Sequence, residues 1–402
     1  MVRIALISDI HFGKFSRTAE FSVPGESIKD ENTGGESLKE SMINILKEKN
    51  IKYLCIAGDL TSIGSPQEYN YCKDMLIDLA NKLKIQRNNI LLGLGNHDID
   101  WKISELYNSF DSSYTSFPSE LVKEQYRKVA ATASLVYLES ILPPEIKGPA
   151  PYSGIIENDD FVMFVLNTGW CCTEDQAISH GKLDSTQLRW FSDEASKYKS
   201  ENKWKIILMH HHPINYSYPI PSWDPSLLQE SGELLEIAGN NGFHLVIHGH
   251  RHHPRAETIH NSNWQHPITF ICAGSFAVNA SHRSGGSIPN TLHIVELTDE
   301  LGVIKLFTFQ YSSASGWIPL YNNCPETPLD SEMLLGKTFS SLEIERSISK
   351  LTSVEKELKW IDLDECLQFM PYNKLNDLLK IRLENTHKII GKFPDDVCLI
   401  KK

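Results

Sequence analysis

The sequence predicts an α/β fold, in which a largely buried β-sheet is covered by helices. Three observations predict it: short apolar runs, amphipathic stretches between them, and a chain long enough to bury a sizeable core. The 402 residues are 41% hydrophobic and 22% charged, as is usual for globular proteins. The runs that read as buried strands are Arg3–Ser8, Tyr53–Ala57, Ile90–Leu94, Phe161–Asn167, Lys205–Met209, His244–His248, Ile268–Cys272, Leu292–Leu297 and Val303–Gln310. The stretches with helical spacing are Gly35–Lys49, Pro66–Lys84 and Asp184–Lys199.

The charge of the chain argues against some classes of partner. Lys and Arg number 39, and Asp and Glu number 51, which gives a net charge of −12. A protein that binds duplex DNA or an anionic membrane nonspecifically needs a basic face, so this composition disfavours long nucleic acids and membrane surfaces. No apolar run approaches the roughly 18 residues of a membrane-spanning helix. A small anionic substrate is not excluded.

The first residues and the cysteines favour a cytoplasmic location. Val2–Ser8 has the pattern of a short buried strand and lacks the cleavage site of a secretory signal. The eight cysteines include no Cys-x-x-Cys pair, and several lie in apolar runs, where a free cysteine packs as a small hydrophobic residue. We therefore expect reduced thiols and a reducing compartment.

The sequence predicts a domain boundary near residue 320. Residues 1–320 carry the α/β pattern, interrupted at about 101–150 by a polar, proline-containing stretch that we interpret as an insertion. Residues 321–402 begin as a linker and continue with helix signals, including capping boxes that start at Ser340 and Thr352. We predict a mainly helical C-terminal extension whose apolar face packs on the first domain or forms a homo-oligomer. That face consists of Leu375, Leu378, Leu379, Leu383, Thr386 and Ile390.

Polar residues that can bind metals follow five of the predicted strands. The sequence has 16 histidines, and seven of them fall between His244 and His266. Ligands in open α/β sheets bind beyond the carboxyl ends of the strands, so segments that follow different strands can converge on one pocket. The five segments are Asp9-Ile10-His11, Gly58-Asp59, Gly95-Asn96-His97-Asp98, His210-His211-His212-Pro213 and Gly249-His250-Arg251-His252.

The donor types in these segments indicate a pair of divalent metal ions. Asp9 and His11 alternate along an extended segment, as do His250 and His252, so each pair can place its side chains on one face. Imidazole, carboxylate and amide donors suit Mn, Fe, Zn, Co or Ni. Two ions ~3.5–4 Å apart need a shared ligand, and Asp59 is the candidate bridge because a carboxylate has two oxygens. Glycines at positions 58, 95 and 249 would let the backbone turn tightly beside the ions.

The ordered motifs D-x-H, G-D, G-N-H-D, H-x-P and G-H-x-H resemble those of the calcineurin-like metallophosphoesterase superfamily. Within it, their order is most similar to the class III cyclic-nucleotide phosphodiesterases and related glycerophosphodiesterases. All five blocks occur in order between residue 1 and about residue 315, which makes the match specific. The resemblance implies a four-layer sandwich of two mixed β-sheets flanked by helices, with a dinuclear metal site at one edge.

The resemblance also implies a ligand set. His211 is selected from the three consecutive histidines because the superfamily pattern places one residue between this histidine and a proline, here Pro213. His210 remains the alternative; otherwise it would be a hydrogen-bonded core histidine. The first ion would be held by Asp9, His11, Asp59 and His252, and the second by Asp59, Asn96, His211 and His250.

His97 matches the active-site histidine of the superfamily, which contacts a phosphoryl oxygen and can protonate the leaving group. Asp98 would orient the ring of His97. The reaction that the resemblance implies is hydrolysis of a phosphoester, in which the two metal ions activate water and neutralise phosphate charge. The catalytic candidates are thus His97 and Asp98, beside seven metal ligands.

Departures from related patterns narrow the expected activity. Purple acid phosphatases have a tyrosine where this chain has Ser62, and the UDP-sugar pyrophosphatases of lipid pathways usually have arginine at the position of His97. We expect a phosphodiesterase acting on a small phosphodiester such as a cyclic nucleotide or a glycerophosphodiester. The alternatives are a phosphomonoesterase or nucleotide pyrophosphatase using the same site, a nuclease, which should carry a basic groove, and a noncatalytic scaffold.

Overall fold

The fold is described from a computed structural model of the 402-residue chain. The structure describes residues 1–100, 146–170, 172, 180–216, 226–282, 288–320, 329–353, 357–383, 385–390 and 398–401. Most of the predicted insertion at about 101–150, and the start of the C-terminal extension, lie outside the described residues. Within these ranges no helix has both the length and the apolar character needed to cross a membrane.

Strands and helices alternate through most of the described chain. The strands are β1 (Val2–Ile7), β2 (Tyr53–Ala57), β3 (Ile90–Gly93), β4 (Gly154–Glu157), β5 (Phe161–Val165), β6 (Trp204–Leu208), β7 (Leu245–His248), β8 (Arg255–Ile259), β9 (Ile268–Cys272), β10 (Thr291–Leu297), β11 (Ile304–Ser312), β12 (Gly316–Pro319), β13 (Glu332–Leu335), β14 (Leu358–Lys359), β15 (His387–Ile390) and β16 (Cys398–Lys401). The helices are α1 (Leu38–Leu46), α2 (Pro66–Leu83), α3 (Ser185–Lys197), α4 (Ser231–Asn240), α5 (Ser341–Leu351), α6 (Glu365–Gln368) and α7 (Tyr372–Leu383).

Two large sheets, each with parallel and antiparallel pairs, form the main body. The first has the order β12-β11-β10-β1-β2-β3, with β13 paired to β11. In it, β1–β2 and β2–β3 are parallel and the other pairs are antiparallel. The second has the order β4-β5-β6-β7-β9-β8, with a parallel centre from β5 to β9 and antiparallel edges. The predicted pair of mixed sheets is confirmed.

Alternating side chains on the second sheet face two different cores. On β5, Phe161 and Met163 belong to the core shared with the first sheet, whereas Phe164 packs with Phe191 of α3. Successive side chains of a strand point to opposite faces, so this alternation means that β5 is covered on both sides. The first core also includes residues of α1 and α2, such as Met42. Helices therefore flank the two sheets, as the sequence predicted.

All nine predicted strands form, and their ends differ from the predicted ends by at most two residues. The three predicted helices also form, as α1, α2 and α3. Ser65 caps α2 in a complete capping box with Glu68, and proline occupies the first turn. The sequence pattern missed β4, β8 and β12, which are short edge strands without a continuous apolar run, and α4.

The C-terminal extension contains strands as well as helices, which the sequence pattern did not predict. Strand β13 lies beyond the predicted boundary at 320 and joins the first sheet through β11. Strands β14, β16 and β15 form a separate three-stranded sheet. Helix α5 begins with the predicted capping box at Ser340, and Thr352 is its C-cap; the rest of the capping box predicted at Thr352 lies outside the described residues.

The predicted apolar helical face of the extension is split between two elements. Leu375, Leu379 and Leu383 lie on α7 and are buried in a cluster with residues of α5, α6 and β16. The helix ends at Leu383, and the chain continues as β15 from His387, so the last residues of the predicted face are not helical. This face therefore packs within the extension, and not on the first domain as predicted.

Candidate metal centre

The five motif segments lie together where the strands of the two sheets end. Asp9 donates its backbone N–H to the carbonyl oxygen of Gly58 at 3.0 Å, which joins the turns after β1 and β2. Gly249, after β7, donates to the carbonyl oxygen of His210, after β6, at 3.0 Å. The turn after β3 joins them because the N–H of His97 donates to Asp59 Oδ1 at 2.9 Å. The N–H of His250 donates to Asp9 Oδ1 at 3.2 Å and links the two sets, so hydrogen bonds from backbone N–H groups hold these segments together.

A first group of donors consists of Asp9, His11, Asp59 and His252, with all donor atoms within 4.8 Å of one another. His11 Nε2 lies 3.2 Å from His252 Nε2 and 3.4 Å from Asp59 Oδ2. His252 Nε2 lies 3.1 Å from Asp9 Oδ1. These are the four residues predicted for the first ion, and the structure brings all of them together.

A second group consists of Asp59, His210 and His250. His210 Nε2 lies 3.1 Å from Asp59 Oδ2. Asn96, the amide ligand predicted for this ion, is adjacent, with its Oδ1 3.1 Å from His250 Nδ1. Three of the four predicted ligands are therefore in place, and the fourth position is taken by a different histidine of the triple.

The structure places His210, and not the predicted His211, in the second group. His210 Nδ1 donates to the carbonyl oxygen of Ala57 at 2.7 Å, which turns Nε2 toward Asp59. His211 Nδ1 instead lies 2.8 Å from Thr168 Oγ1, although its ring centroid is 4.3 Å from that of His250. Consecutive side chains of an extended segment point in opposite directions, so the register of one residue decides which imidazole faces the site. The donor geometry therefore favours His210, the alternative that the sequence left open, over His211.

One carboxylate oxygen of Asp59 faces both groups. Its Oδ1 accepts the backbone N–H of His97, and its Oδ2 lies 3.4 Å from His11 Nε2 and 3.1 Å from His210 Nε2. The sequence had suggested a bridge through both oxygens. The geometry instead offers one shared oxygen, Oδ2, and the hydrogen bond from His97 to Oδ1 holds the carboxylate in place.

The charges around Asp59 show how strongly these groups interact. Burial opposes ionisation of Asp59, but the neighbouring His210 and His97 hold the pKa of its carboxyl well below the usual value. Burial likewise opposes the charged form of His210, yet the carboxylate of Asp59 raises its pKa to about 9. Burial lowers the pKa of His11 and of His250 well below the usual value. Only a neutral imidazole binds a metal ion, so His210 must lose a proton on binding, whereas burial already favours the neutral forms of His11 and His250.

The donor set fits two divalent metal ions. All of these side chains except His250 and His252 are almost fully buried. The Nε2 atoms of His11 and His252 lie 3.2 Å apart, and two imidazole nitrogens at this distance need a proton or a cation between them. Buried carboxylates and imidazole lone pairs that point at one spot are stabilised by a cation there. The structure shows no ion identity, and the mixed nitrogen and oxygen donors suit several first-row transition metals.

His97 is held by Ser62 and not by Asp98. Its Nδ1 lies 2.9 Å from the carbonyl oxygen of Ser62, so Nδ1 carries the hydrogen and Nε2 is left for other contacts. Asp98 accepts from the N–H of Gly95 and from both the N–H and the hydroxyl of Thr61. Asp98 therefore closes the short 3-10 turn Asn96–Asp98, and the predicted role of orienting the His97 ring is wrong.

The ionisation of this turn also reflects burial. Burial lowers the pKa of His97, although the carboxylate of Asp59 acts in the opposite direction. Burial raises the pKa of Asp98 to about 7, and the charge of Asp59 adds to the effect. The raised pKa of Asp98 reflects the cost of placing a second negative charge beside Asp59 in one buried region.

The three motif glycines create space for the donor residues. A Cβ at Gly95 would lie 2.1 Å from Asp59 Oδ1, and one at Gly249 would lie 2.5 Å from Asp9 Oδ2. A Cβ at Gly58 would lie 2.4 Å from His210 Nδ1. Only Gly58, with a φ of +94°, also needs the conformational freedom of glycine. The expectation of tight turns holds for this glycine alone; the other two allow close approach.

The backbone at the donor residues adopts an unusual conformation. Eight non-glycine residues of the described chain have positive φ, and five of them belong to the two donor groups. This left-handed region is uncommon for residues with a side chain and is often found at functional sites. The five residues and their φ values are Asp9 (51°), His11 (49°), Asp59 (51°), His250 (72°) and His252 (51°).

Sequence reasoning missed the residues that support this site. The hydroxyl of Ser62 donates to the carbonyl oxygen of His11 at 2.8 Å and accepts the N–H of Phe15 at 3.2 Å. The carbonyl oxygen of Ser62 accepts a hydrogen bond from His97 Nδ1. Tyr216 lies with its hydroxyl 2.6 Å from His248 Nε2, directly before the G-H-x-H segment. No motif marks Ser62 or Tyr216, because their contacts form only when distant segments meet.

Comparison with known proteins gives a family match and several distant structural similarities. Residues 2–254 match the model of the family described as calcineurin-like phosphoesterase. No curated protein matches the chain. This match covers all five motif segments, from Asp9 to His252.

Three of the similar solved structures illustrate how distant these similarities are. A purple acid phosphatase from yellow lupin (Lupinus luteus) is 11% identical with a TM-score of 0.49 over 77% of this chain and 51% of that one, so the chain spans about half of the lupin protein. A dimetal phosphatase from Danio rerio is 11% identical with a TM-score of 0.46 over 77% of this chain and 99% of its own. GAP50, the anchor in the inner membrane complex of Plasmodium, is 12% identical with a TM-score of 0.43 over 85% and 90%. Similarities this low say nothing about the substrate of this chain.

Proposed function

Because the chain belongs to the calcineurin-like phosphoesterase family, we propose that it hydrolyses small phosphodiesters with the help of two divalent metal ions. The position of Asp59 Oδ2 carries this proposal. It lies 3.4 Å from His11 Nε2 and 3.1 Å from His210 Nε2, so one oxygen is shared by two groups of donors. A shared carboxylate oxygen is what two closely spaced ions require.

The residues that would hold the ions are those of the two donor groups. Asp9, His11, Asp59 and His252 would bind the first, and Asp59, His210, His250 and Asn96 the second. Such a pair of ions, when bound, polarises the phosphate and lowers the pKa of a water molecule. Everything else in the proposed reaction is done by the protein: it orients the phosphate, excludes bulk water and moves one proton.

His97 is the residue that we propose for proton transfer. Its Nδ1 hydrogen is committed to the carbonyl oxygen of Ser62, so only Nε2 can take up a proton, which the water consumed by hydrolysis supplies, and pass it to the oxygen of the departing alcohol. Burial lowers the pKa of His97 and so favours the neutral imidazole, which must gain a proton at Nε2 before it can donate one. Because the N–H of His97 also binds Asp59 Oδ1, the proton donor and the bridging carboxylate are held at a fixed separation.

The charge of the surrounding residues supports a diester over a monoester. A phosphomonoester carries a second negative charge, and proteins often neutralise it with the fork of an arginine. Among the described residues, the side chains that form the two donor groups are histidines, aspartates and an asparagine. Arg251, next in sequence to His250, donates to Ser226 at 3.3 Å. A substrate with a single negative charge, such as a cyclic nucleotide or a glycerophosphodiester, matches this environment better.

The test compares a diester with a monoester. Protein loaded separately with Mn²⁺, Zn²⁺ or Co²⁺ is assayed on bis-p-nitrophenyl phosphate and on p-nitrophenyl phosphate, and we expect the higher kcat/KM on the diester. A clearly higher kcat/KM on the monoester would overturn the diester assignment. Asp59→Asn should abolish both activities. The control is Asp160→Asn, which alters a carboxylate that pairs with Lys52 just before β5, and it should abolish neither activity.

A further inference from the structure

An aromatic ring stands beside the proposed proton donor. The ring centroid of Phe15 lies 5.8 Å from that of His97 and 6.0 Å from that of His11, in edge-to-face arrangements. The centroids of His97 and His11 are themselves 4.6 Å apart. Phe15 is partly exposed, whereas His11 is almost fully buried. The three rings therefore form one wall of the site, and Phe15 is its outer member.

The backbone of Phe15 is fixed on both sides. Its N–H donates to the hydroxyl of Ser62 at 3.2 Å, and its carbonyl oxygen accepts the N–H of Asn279 at 3.1 Å. The next residue, Ser16, forms an isolated β-bridge with Val278. The same Ser62 holds the ring of His97, so Phe15 and His97 are positioned by one residue. A ring on such a support keeps its place when a substrate binds.

A lysine extends this wall toward solvent. The ammonium of Lys14, which is exposed, lies 4.8 Å from the ring centroid of Phe15. Within the part of the chain that the structure describes, Lys14 forms no ion pair with a carboxylate. An ammonium near an aromatic face is attracted to the ring and adds positive charge at the mouth of the site.

We propose that Phe15 forms a leaving-group subsite that selects phosphodiesters with a planar aromatic leaving group. This inference rests on the proposed function, because it takes His97 as the residue that gives its Nε2 proton to the departing oxygen. The group attached to that oxygen must then lie on the His97 side of the phosphorus, where it meets Phe15. An aromatic group gains edge or stacking contact with the ring, whereas a polyol such as glycerol gains little.

Two symmetric diesters test this selectivity without ambiguity about which group leaves. Dibenzyl phosphate releases an aromatic alcohol, and glycerophosphoglycerol releases glycerol, and both alcohols are similar in acidity. Phe15→Ala should lower kcat/KM for dibenzyl phosphate by about tenfold and leave glycerophosphoglycerol within about twofold. Phe15→Tyr should keep the preference. Adenylyl-(3′→5′)-adenosine, as a third substrate, distinguishes a nucleoside from a simple aryl group as the source of the planar surface.

The matched control is Phe307→Ala. Phe307 is also a partly buried phenylalanine with a lysine over its ring, since Lys305 Nζ lies 5.1 Å from the centroid, but it is on β11 and apart from the donor groups. This variant should leave the ratio of the two kcat/KM values unchanged. An equal loss on both diesters in Phe15→Ala would show that the ring only supports His97, and would overturn the inference.

A binding measurement separates this inference from the proposed function. Phenylphosphonate and methylphosphonate are not hydrolysed, and calorimetry on the metal-loaded protein gives their affinities. Phenylphosphonate should bind more tightly than methylphosphonate, and Phe15→Ala should lower the ratio of the two affinities about tenfold. If this holds while neither diester is cleaved, the subsite stands and the proposed activity fails. If both diesters are cleaved but Phe15→Ala changes neither the ratio nor the binding, the subsite fails and the activity stands.

Discussion

The Nδ1 atom of His210 lies 2.7 Å from the carbonyl oxygen of Ala57, and this contact decides what the other ring nitrogen can do. A carbonyl oxygen only accepts hydrogen bonds, so Nδ1 must carry the hydrogen. The lone pair of Nε2 then faces Asp59 Oδ2 at 3.1 Å, and two electron-rich atoms at this distance need a proton or a cation between them. A hydrogen bond from the other nitrogen to a backbone carbonyl is also the usual support of a metal-binding histidine.

The first prediction separates His210 from His211. His210→Ala should lower kcat/KM on bis-p-nitrophenyl phosphate by about 100-fold or more, because a direct metal ligand is lost. His211→Ala removes an imidazole that contacts Thr168 and should leave measurable activity. Metal content per protein, measured after gel filtration, should fall from two ions to one only in His210→Ala. The opposite pattern would show that His211, and not His210, is the metal ligand.

The second prediction concerns the space at Gly95. The added Cβ of Gly95→Ala would lie 2.1 Å from Asp59 Oδ1 and 2.6 Å from Asp59 N, so Asp59 must move and the shared oxygen with it. We expect a folded protein with less than a tenth of the activity. Gly93→Ala, two residues earlier, is the matched control, because its Cβ would meet only ordinary contacts at 3.4 Å and beyond. Circular dichroism and activity of the two variants check this; equal activities would contradict it.

The third prediction is that metal ions stabilise the folded chain through Asp59. An ion at a free concentration of 100 times its Kd adds about 2.7 kcal/mol to the free energy of unfolding if it binds only the folded state. The thermal midpoint of the chelator-treated protein should therefore rise when Mn²⁺ or Zn²⁺ is added. Asp59→Asn should lose most of this rise, and Asp160→Asn should keep it. A rise that survives in Asp59→Asn would place the stabilising ions elsewhere.

The fourth prediction uses a buried histidine that lies away from the donor groups. His293 on β10 is fully buried between Thr308 and the carbonyl oxygen of Ala273, and burial lowers its pKa to about 4. In the unfolded chain the pKa returns to about 6.5, so the unfolded state binds the proton first as pH falls. The contribution of His293 is complete above pH 6.5 and is lost between about pH 6.5 and 4.

At pH 5 this loss amounts to about 2 kcal/mol in the free energy of unfolding. His293→Gln keeps a donor for Ala273 but has no proton to bind, so its stability should fall less between pH 7 and pH 5 than that of the unsubstituted protein. Urea unfolding followed by tryptophan fluorescence at both pH values measures the difference. Parallel losses in the two proteins would show that His293 does not resist protonation as the structure indicates.

Much of the fold was predictable because its strands are buried on both faces. Tyr53–Ala57 and Ile268–Cys272 are fully buried, and such strands appear in the sequence as continuous apolar runs with clear ends. Strand β8 (Arg255–Ile259) lies at a sheet edge and is mostly half-buried, so its sequence shows no such run. In the extension, His387–Ile390 continues the helical spacing of α7, and only its pairing with β16 makes it a strand.

The donor residues were predictable from their order along the chain, but their contacts were not. Motif spacing identifies Asp9, His11, Asp59 and His252, because each follows a strand directly. It cannot decide between two neighbouring histidines, since that choice depends on how the segment after β6 leaves the sheet. Nor does it show that Asp98 turns toward Thr61, because these two residues lie in the segments after β3 and β2, which meet only in the folded protein.

The left-handed backbone of the five donor residues has a consequence for the evolution and engineering of this protein. Each such residue disfavours the folded state by about 1–3 kcal/mol relative to a relaxed conformation. Glycine adopts this conformation without penalty, so Asp9→Gly or His252→Gly should make the metal-free chain more resistant to unfolding while removing a donor. The site is therefore a place where function and robustness oppose each other, and selection for stability alone would erase it.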